Sequence, residues 1–249
     1  MRMENIGGSI SLSQVTAVMC NYARPKSALR VIKRLRELGL TEIIVWNNCA
    51  KPIPEATRNL NSKKNVGALG RYYAALDATR PYVLMIDDDV LLTRKGLNTL
   101  LKYAPRYPAV AQAGLIFGPP FKKRYQRIKF LSDKVKKIKK VDVAISNRGM
   151  VLKKELCRPI LDHWVWGSLK AVRKGFITTD IPVSCAILDL TGRHPVVVPV
   201  NGRGYVCLPD EAPEKASRNQ KNFYEERTKM LKWLVNKGWI LMGDPRKTG

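Results

Sequence analysis

At 249 residues the chain is long enough for one large α/β domain with a full core, and a hydrophobic fraction of 45% excludes a disordered chain. Lys and Arg number 45 against 20 Asp and Glu, a net charge of +25, which favours polyanionic partners: nucleic acid, anionic lipid head groups or acidic polysaccharide. No apolar run reaches a membrane span, no signal-peptide core opens the chain, and the five Cys are odd in number without C-x-x-C spacing. A soluble cytoplasmic protein with reduced core thiols is expected.

Residues 1–13 read as a small, polar leader. Val15 to Cys20 forms a first buried strand, and Asn21-Tyr22-Ala23-Arg24-Pro25 is the loop after it, with Pro25 suited to a first helical turn. Leu29, Ile32, Leu35 and Leu38 recur at helical spacing, and Gly39 closes the helix. Glu42 to Trp46 is the second strand, ending in Asn47-Asn48. Strand, helix, strand with a short return is a βαβ unit, which predicts parallel pairing. Residues 50–64, with Pro52 and Pro54, read as a surface connection. Asn65-Val66-Gly67 then opens a helix whose Leu69, Tyr72, Tyr73 and Leu76 make one apolar core stripe.

Tyr82 to Ile86 is a short apolar run, followed by Asp87-Asp88-Asp89 and a return to apolar residues at Val90, Leu91 and Leu92. Such a run reads as a central strand, and open α/β sheets bind ligands at the carboxyl ends of strands. Adjacent carboxylates repel one another unless a cation neutralises them, so a divalent metal bridging Asp side chains to a phosphorylated substrate is the leading expectation. The alternative is an acidic turn capping the next helix beside Thr93, but a cap needs one carboxylate and not three.

A helix through Leu97, Leu100, Leu101 and Ala104 and a strand from Val110 to Phe117 follow. Residues 121–140 carry ten Lys or Arg against one acid, Asp133, interleaved with Phe121, Tyr125, Ile128 and Phe130. Bases alternating with aromatics suit phosphate contacts and base stacking, which makes Lys122, Lys123, Arg124, Arg127, Lys129, Lys136, Lys137, Lys139 and Lys140 candidate nucleic-acid contacts. The same pattern suits an anionic membrane surface. Residues 141–151 read as strand, turn and strand through Ser146-Asn147-Arg148-Gly149. Lys153 to Lys174 reads as helix in two pieces divided near Pro159, ended by Gly175. Short strands around 176–190 and 195–200 lead to a Gly-rich loop at 201–204. A last helix over roughly 218–237 turns Leu231, Leu234 and Val235 inward.

Four of these features fall in a telling order: Cys20-Asn21-Tyr22-Ala23-Arg24, Val45-Trp46-Asn47-Asn48, Asn65-x-Gly67 and Asp87-Asp88-Asp89. In that order the chain resembles a nucleotide-sugar glycosyltransferase of the GT-A fold, close to the exostosin-like transferases and more loosely to the family-2 group. The resemblance covers residues 14–100 well, is weaker over 141–190, and is absent over the basic stretch. It implies a single α/β, Rossmann-like domain with a mostly parallel central sheet flanked by helices. Residues 14–100 would be the nucleotide-sugar half, 101–215 the acceptor half with the basic insertion 121–140, and 216–249 a C-terminal helix and tail.

The resemblance also implies a UDP-sugar donor and Mn²⁺ or Mg²⁺. Asp87 and Asp89 match the D-x-D pair around Asp88, with Asp89 the direct metal ligand and Asp87 nearer the ribose or the metal's water. Asn21, Tyr22, Arg24, Asn47 and Asn65 fall where the family binds nucleoside and diphosphate. Arg71 would reach the sugar or diphosphate, or be a solvated helix Arg. The family's catalytic acid pair corresponds to Asp162-His163, although relatives carry Glu-Asp or Asp-Asp there and Asp162 also suits a helix N-cap. His194 is the candidate late metal ligand. Asp180 and Asp189 are alternatives for these roles.

Taken with the charge, the acceptor expected is DNA carrying a hydroxymethylated pyrimidine, a class known from phage, flipped into a pocket where Trp164, Trp166, Phe121 or Tyr125 stack on it. A peripheral-membrane transferase building lipopolysaccharide or another surface glycan is the rival. From another class comes a nucleic-acid-binding module on an inactive transferase scaffold. A nucleotidyltransferase fits less well, because Gly7-Gly8 precedes the first strand instead of following it. No obligate protein partner is evident.

Overall fold

The computed structural model describes residues 8–118, 127–172, 178–216 and 219–243. Phe121, Lys122, Lys123, Arg124, Tyr125 and Gly175 lie outside the described residues. β1 (Val15–Asn21) is buried along its whole length, as a strand covered on both faces must be. α1 (Pro25–Glu37) begins on Pro25 and buries Ala28, Val31, Ile32 and Leu35. The chain turns at Gly39 with φ +97°, where a Cβ would be strained, and enters β2 (Glu42–Asn48), parallel to β1.

The expected surface connection holds a strand of its own. β3 (Arg58–Ser62) pairs in parallel with β2 at the sheet edge, where its polar sequence leaves little apolar signal to read. A 3₁₀ turn at Gly67–Leu69 leads into the short α2 (Gly70–Leu76), which buries Tyr72 and leaves Tyr73 partly exposed against the Trp46 ring, 5.4 Å away. β4 (Tyr82–Asp87) lies parallel to β1 and ends at the first carboxylate. After the acidic turn come β5 (Val90–Leu92) and α3 (Arg94–Tyr103), whose N-terminus is capped by Thr93 Oγ1 accepting from the Gly96 N–H at 3.0 Å.

The strand expected over 110–117 divides at Gln112 into β6 (Ala109–Ala111) and β7 (Ala113–Phe117), which belong to different sheets. β8 (Arg127–Leu131) pairs antiparallel with β7; β9 (Lys139–Lys140), β10 (Val143–Ala144) and β11 (Met150–Lys153) follow. α4 (Cys157–Leu161) contains Pro159 in its first turn, where a missing N–H costs nothing, so the helix breaks at Asp162-His163 and not at the proline. Trp164–Ala171 continues as a 3₁₀ stretch.

The short strands expected around 176–190 are instead one helix, α5 (Asp180–Thr191). Every residue from Ile181 to Ile187 is buried, so the segment is apolar all round and shows no helical stripe. It stops at Gly192, in the left-handed region at φ +66°. β12 (Val196–Val197), β13 (Tyr205–Cys207) and α6 (Phe223–Asn236) complete the chain.

The large sheet has the order β3-β2-β1-β4-β11-β6-β12-β9 and is mostly parallel, with β11 and β9 reversed. Alternate residues of each strand supply two cores. Val18, Ile44, Val83 and Met85 face α2, α4, α5 and α6, while Ala17, Met19, Ile43, Val45, Leu84 and Ile86 face α1 and α3. All five Cys are free thiols. Cys20, Cys157 and Cys185 are core residues, and burial pushes Cys157 up to about 12; Cys49 and Cys207 are exposed, so the core-thiol expectation fails for those two.

β13 pairs antiparallel with β5 and draws the loop 201–204 against α3. There a Cβ on Gly96 would sit 2.0 Å from the Gly204 carbonyl oxygen, a backbone atom that cannot swing aside. Gly96→Ala is therefore expected to cost about 1–3 kcal/mol through overpacking, despite alanine's better helix propensity. Thermal unfolding should show a Tm lowered by several degrees; an unchanged or raised Tm would show that the loop yields freely.

Candidate active-site cleft

The carboxyl ends of β1, β2 and β4 open into a cleft of about 520 Å³. Tyr22, Arg24, Asn65, Arg71 and all three carboxylates of the acidic turn line it. Asp180, at the first position of α5, lines the same cleft.

The carboxylates are held by two arginines. Arg71, almost fully buried, is bonded to Asp87, and its second terminal nitrogen donates to Ser146 Oγ at 3.0 Å. Ser146 Oγ donates in turn to Asp180 Oδ1 at 2.6 Å, with the Ser146 N–H at 3.2 Å from the same oxygen. One chain of bonds thus runs from the end of β4 to the start of α5. Burial is the largest influence on Arg71 and opposes its charge, yet Asp87, Cys20, Asp180 and Tyr72 together outweigh it and hold its pKa above the ordinary value.

Arg24 joins the other two carboxylates to a distant loop. Its Nη1 lies 3.1 Å from Asp88 and 3.6 Å from Asp89, and its Nε donates to Asp210 at 2.9 Å. The Leu208 N–H donates to the Asp89 carbonyl at 2.7 Å. Glu211 accepts from the N–H groups of Ser27 at 2.8 Å and Lys26 at 3.3 Å, at the start of α1, and these bonds lower its pKa although burial works the other way. Residues 208–211 therefore strap the acidic turn to α1. Asp88 is the most buried of the three carboxylates. Burial first, and Asp87 next, push its pKa to about 7, with Arg24 opposing and Asp89 adding.

The protein's own Arg24 and Arg71 thus supply part of the positive charge that the acidic cluster requires. Whether a divalent ion also fits depends on the oxygens left facing the cleft. The Asp87 and Asp89 side chains are 27% and 22% exposed on either side of Asp88, at 6%. Among the described residues no group of three His, Cys, Asp or Glu is placed to hold a metal. The site fits an ion of the Mg²⁺ or Mn²⁺ kind, which takes one or two carboxylates and completes its shell with water and substrate phosphate. His194 does not line this cleft; it precedes β12, at the far part of the sheet.

Several expected residues lie elsewhere. Asn21 and Asn47 are fully buried and bonded to each other at 2.9 Å, and Asn47 reaches Asn59 and Asn61 at 3.0 Å each. They brace β1, β2 and β3 without lining the cleft. Asn65 lies at its edge and caps the Gly67 N–H at 2.8 Å. Asp162 is an exposed C-cap of α4, not an N-cap. His163 Nε2 and Trp164 Nε1 meet Asp189 at 3.1 and 2.9 Å, and Trp166 Nε1 donates to the Ile160 carbonyl at 2.7 Å. Asp162, His163, Trp164 and Trp166 do not line the cleft, whereas Asn65 does.

Of the basic stretch, Arg127 and Lys129 reach the cleft; Lys136, Lys137, Lys139 and Lys140 do not, and the last two form β9 at the sheet edge. Ser146, Arg148, Asp210, Lys215, Phe223, Tyr224 and Arg227 escaped the sequence reading. Thr179-Asp180-Ile181-Pro182 carried a usable signal, an acid and a proline in a first helical turn, masked by taking the segment for strands.

No protein-family model matches the sequence, and no curated protein matches it. Among solved structures, GalNAc-T7 with UDP, GalNAc and Mn²⁺ superposes with a TM-score of 0.55 at 9% identity, over 75% of this chain and 42% of that one. The mannosyltransferase PcManGT from Pyrobaculum calidifontis, in complex with GDP-Man and Mn²⁺, superposes with a TM-score of 0.51 at 14% identity, over 86% of this chain and 62% of that one. The chain thus spans less than two thirds of either protein. The likeness is one of fold, and that fold is the GT-A, Rossmann-like arrangement of a mostly parallel sheet between helices.

Because the Asp88 carboxyl binds its proton more tightly folded than unfolded, the stability it contributes is full below pH 4 and is lost as pH rises towards about 7. In metal-free protein, Asp88→Asn should flatten the urea-unfolding profile between about pH 4 and 7. A slope equal to that of the unaltered protein would show that Asp88 does not titrate in this window.

Proposed function

We propose that this chain is a metal-dependent glycosyltransferase that moves a sugar, hexosyl or pentosyl, from a nucleotide-sugar to a hydroxyl acceptor. The observation that carries the reading is the meeting of Asp87, Asp88 and Asp89 with Asp180 in one cleft at the carboxyl ends of parallel strands. Asp89, with Asp87, would hold Mn²⁺ or Mg²⁺, and the ion when bound supplies positive charge against the nucleoside diphosphate leaving group. Tyr22 and Asn65 border the nucleoside side of the cleft. Arg24, fixed by Asp88, Asp89 and Asp210, would set positive charge beside the diphosphate. Asp180, one oxygen fixed by Ser146, takes the acceptor proton in an inverting transfer.

UDP-sugars are the first donors to test, with GDP-sugars beside them, since the two structural neighbours carry UDP and GDP-mannose respectively. The acceptor we infer is nucleic acid, specifically a hydroxymethylated pyrimidine in DNA, on the support of the +25 charge and of Arg127 and Lys129 within the cleft. Lys136, Lys137, Lys139 and Lys140 lie outside the cleft and favour a second possibility, a peripheral transferase seated on anionic lipid and building a surface glycan. No helix among the described residues is long and apolar enough to cross a membrane.

The decisive assay is nucleoside-diphosphate release with Mn²⁺, with and without DNA containing 5-hydroxymethylcytosine. Release stimulated by that DNA and not by unmodified DNA is expected. Asp180→Asn should slow transfer by about 10²–10⁴-fold with UDP affinity retained. Asp89→Ala should weaken Mn²⁺-dependent UDP binding itself. Normal turnover in both variants would remove the reading.

A further inference from the structure

The cleft that holds the carboxylates is also lined by a basic wall of cations from three separate parts of the chain: Arg127 and Lys129 on β8, Arg148 in the turn before β11, and Lys215 in the loop before α6. Arg127 and Lys129 stand two residues apart on a strand, so they share a face, while Ile128 between them is 63% exposed on the other. The Arg127 guanidinium lies 5.2 Å from the Tyr224 ring centre, and Arg148 lies 5.2 Å from that of Tyr205, to whose hydroxyl it also donates. Burial, then Arg148 and Arg127, lowers the Lys129 pKa, as expected where cations crowd together. Tyr224, in the first turn of α6, is 47% exposed and lines the cleft with these cations.

Crowded cations gain from a ligand with repeated negative charge, and an exposed ring among them adds a face on which a base can stack. A cleft of about 520 Å³ admits a nucleotide but not a duplex.

We propose that this wall is a single-strand nucleic-acid site, in which Arg127, Lys129 and Arg148 contact phosphates and Tyr224 stacks on a base. Presentation of that nucleotide to Asp180 rests on the transferase reading; binding by the wall does not. The site differs from the continuous basic stretch read in the sequence, since it discards Lys136 to Lys140 and recruits residues from far along the chain.

The test is fluorescence anisotropy of the full chain with a labelled single-stranded oligonucleotide of about 12 nucleotides, over a salt series. The Lys129→Glu/Arg148→Glu double variant should bind at least about tenfold more weakly, with a log–log salt slope reduced by about 1.4. Tyr224→Ala should lose about tenfold with its slope unchanged. Lys136→Glu/Lys137→Glu makes the same change in net charge outside the cleft and should lose much less. Equal losses in the two double variants would overturn the proposal, because overall charge and not the wall would then be responsible. So would binding to phosphatidylserine vesicles with none to the oligonucleotide. Mn²⁺-dependent UDP binding, measured on the same protein, tests the transferase reading separately: its absence beside intact oligonucleotide binding would remove that reading and leave the wall standing.

Discussion

Arg71 is the buried charge on which the cleft depends. It rises from a short helix and meets Asp87 at the end of the central strand and Ser146 in the turn before β11, and Ser146 passes the contact to Asp180. Four segments distant in sequence are thereby fixed around one guanidinium. A planar, permanently charged fork can serve two partners at set angles, which a lysine ammonium could not. Removing one member of such a buried set leaves the others charged and unpaired, at a typical cost of about 3–5 kcal/mol. The same contacts that hold the fold therefore determine where the candidate metal carboxylates stand relative to the candidate base.

The first half of the chain was legible because its elements are strongly patterned. Strands at 15–20, 42–46 and 82–87 and the α1 helix follow directly from apolar runs and a clean helical stripe. The acidic turn was legible because three adjacent carboxylates have few other uses. The second half obscured its own period. Residues 181–187 of α5 are all buried, and a helical stretch without a polar face cannot be told from strands by alternation. Asp180 therefore stood only as an alternative to Asp162, which the structure leaves exposed at the end of α4. Arg148, Lys215 and Arg227 carry no local signal, since only the fold brings them to the cleft.

The two sides of the cleft divide the chain's charge in an informative way. A protein with so large a cationic excess concentrates its carboxylates where a cation would sit, and sets bases opposite them in the same cleft. Strong like-signed fields elsewhere on the surface attract ligands without selecting among them. Lys139 and Lys140, at the sheet edge, belong to the long-range field; Arg127 and Lys129 belong to the cleft.

The strap over the acidic turn bears on how the molecule comes to be folded. Arg24 and Asp210 are separated by 186 residues, and Glu211 reaches back 184 residues to Ser27. Contacts of such span close late, because the chain entropy of joining their ends must be overcome before they reward it. A chain emerging from the ribosome can build β1, β2 and β4 well before residue 210 exists. During that interval the acidic turn lacks the strap that seats it on α1. The β3-β2-β1-β4 half of the sheet is an early product of synthesis, and the strapped cleft is among the last.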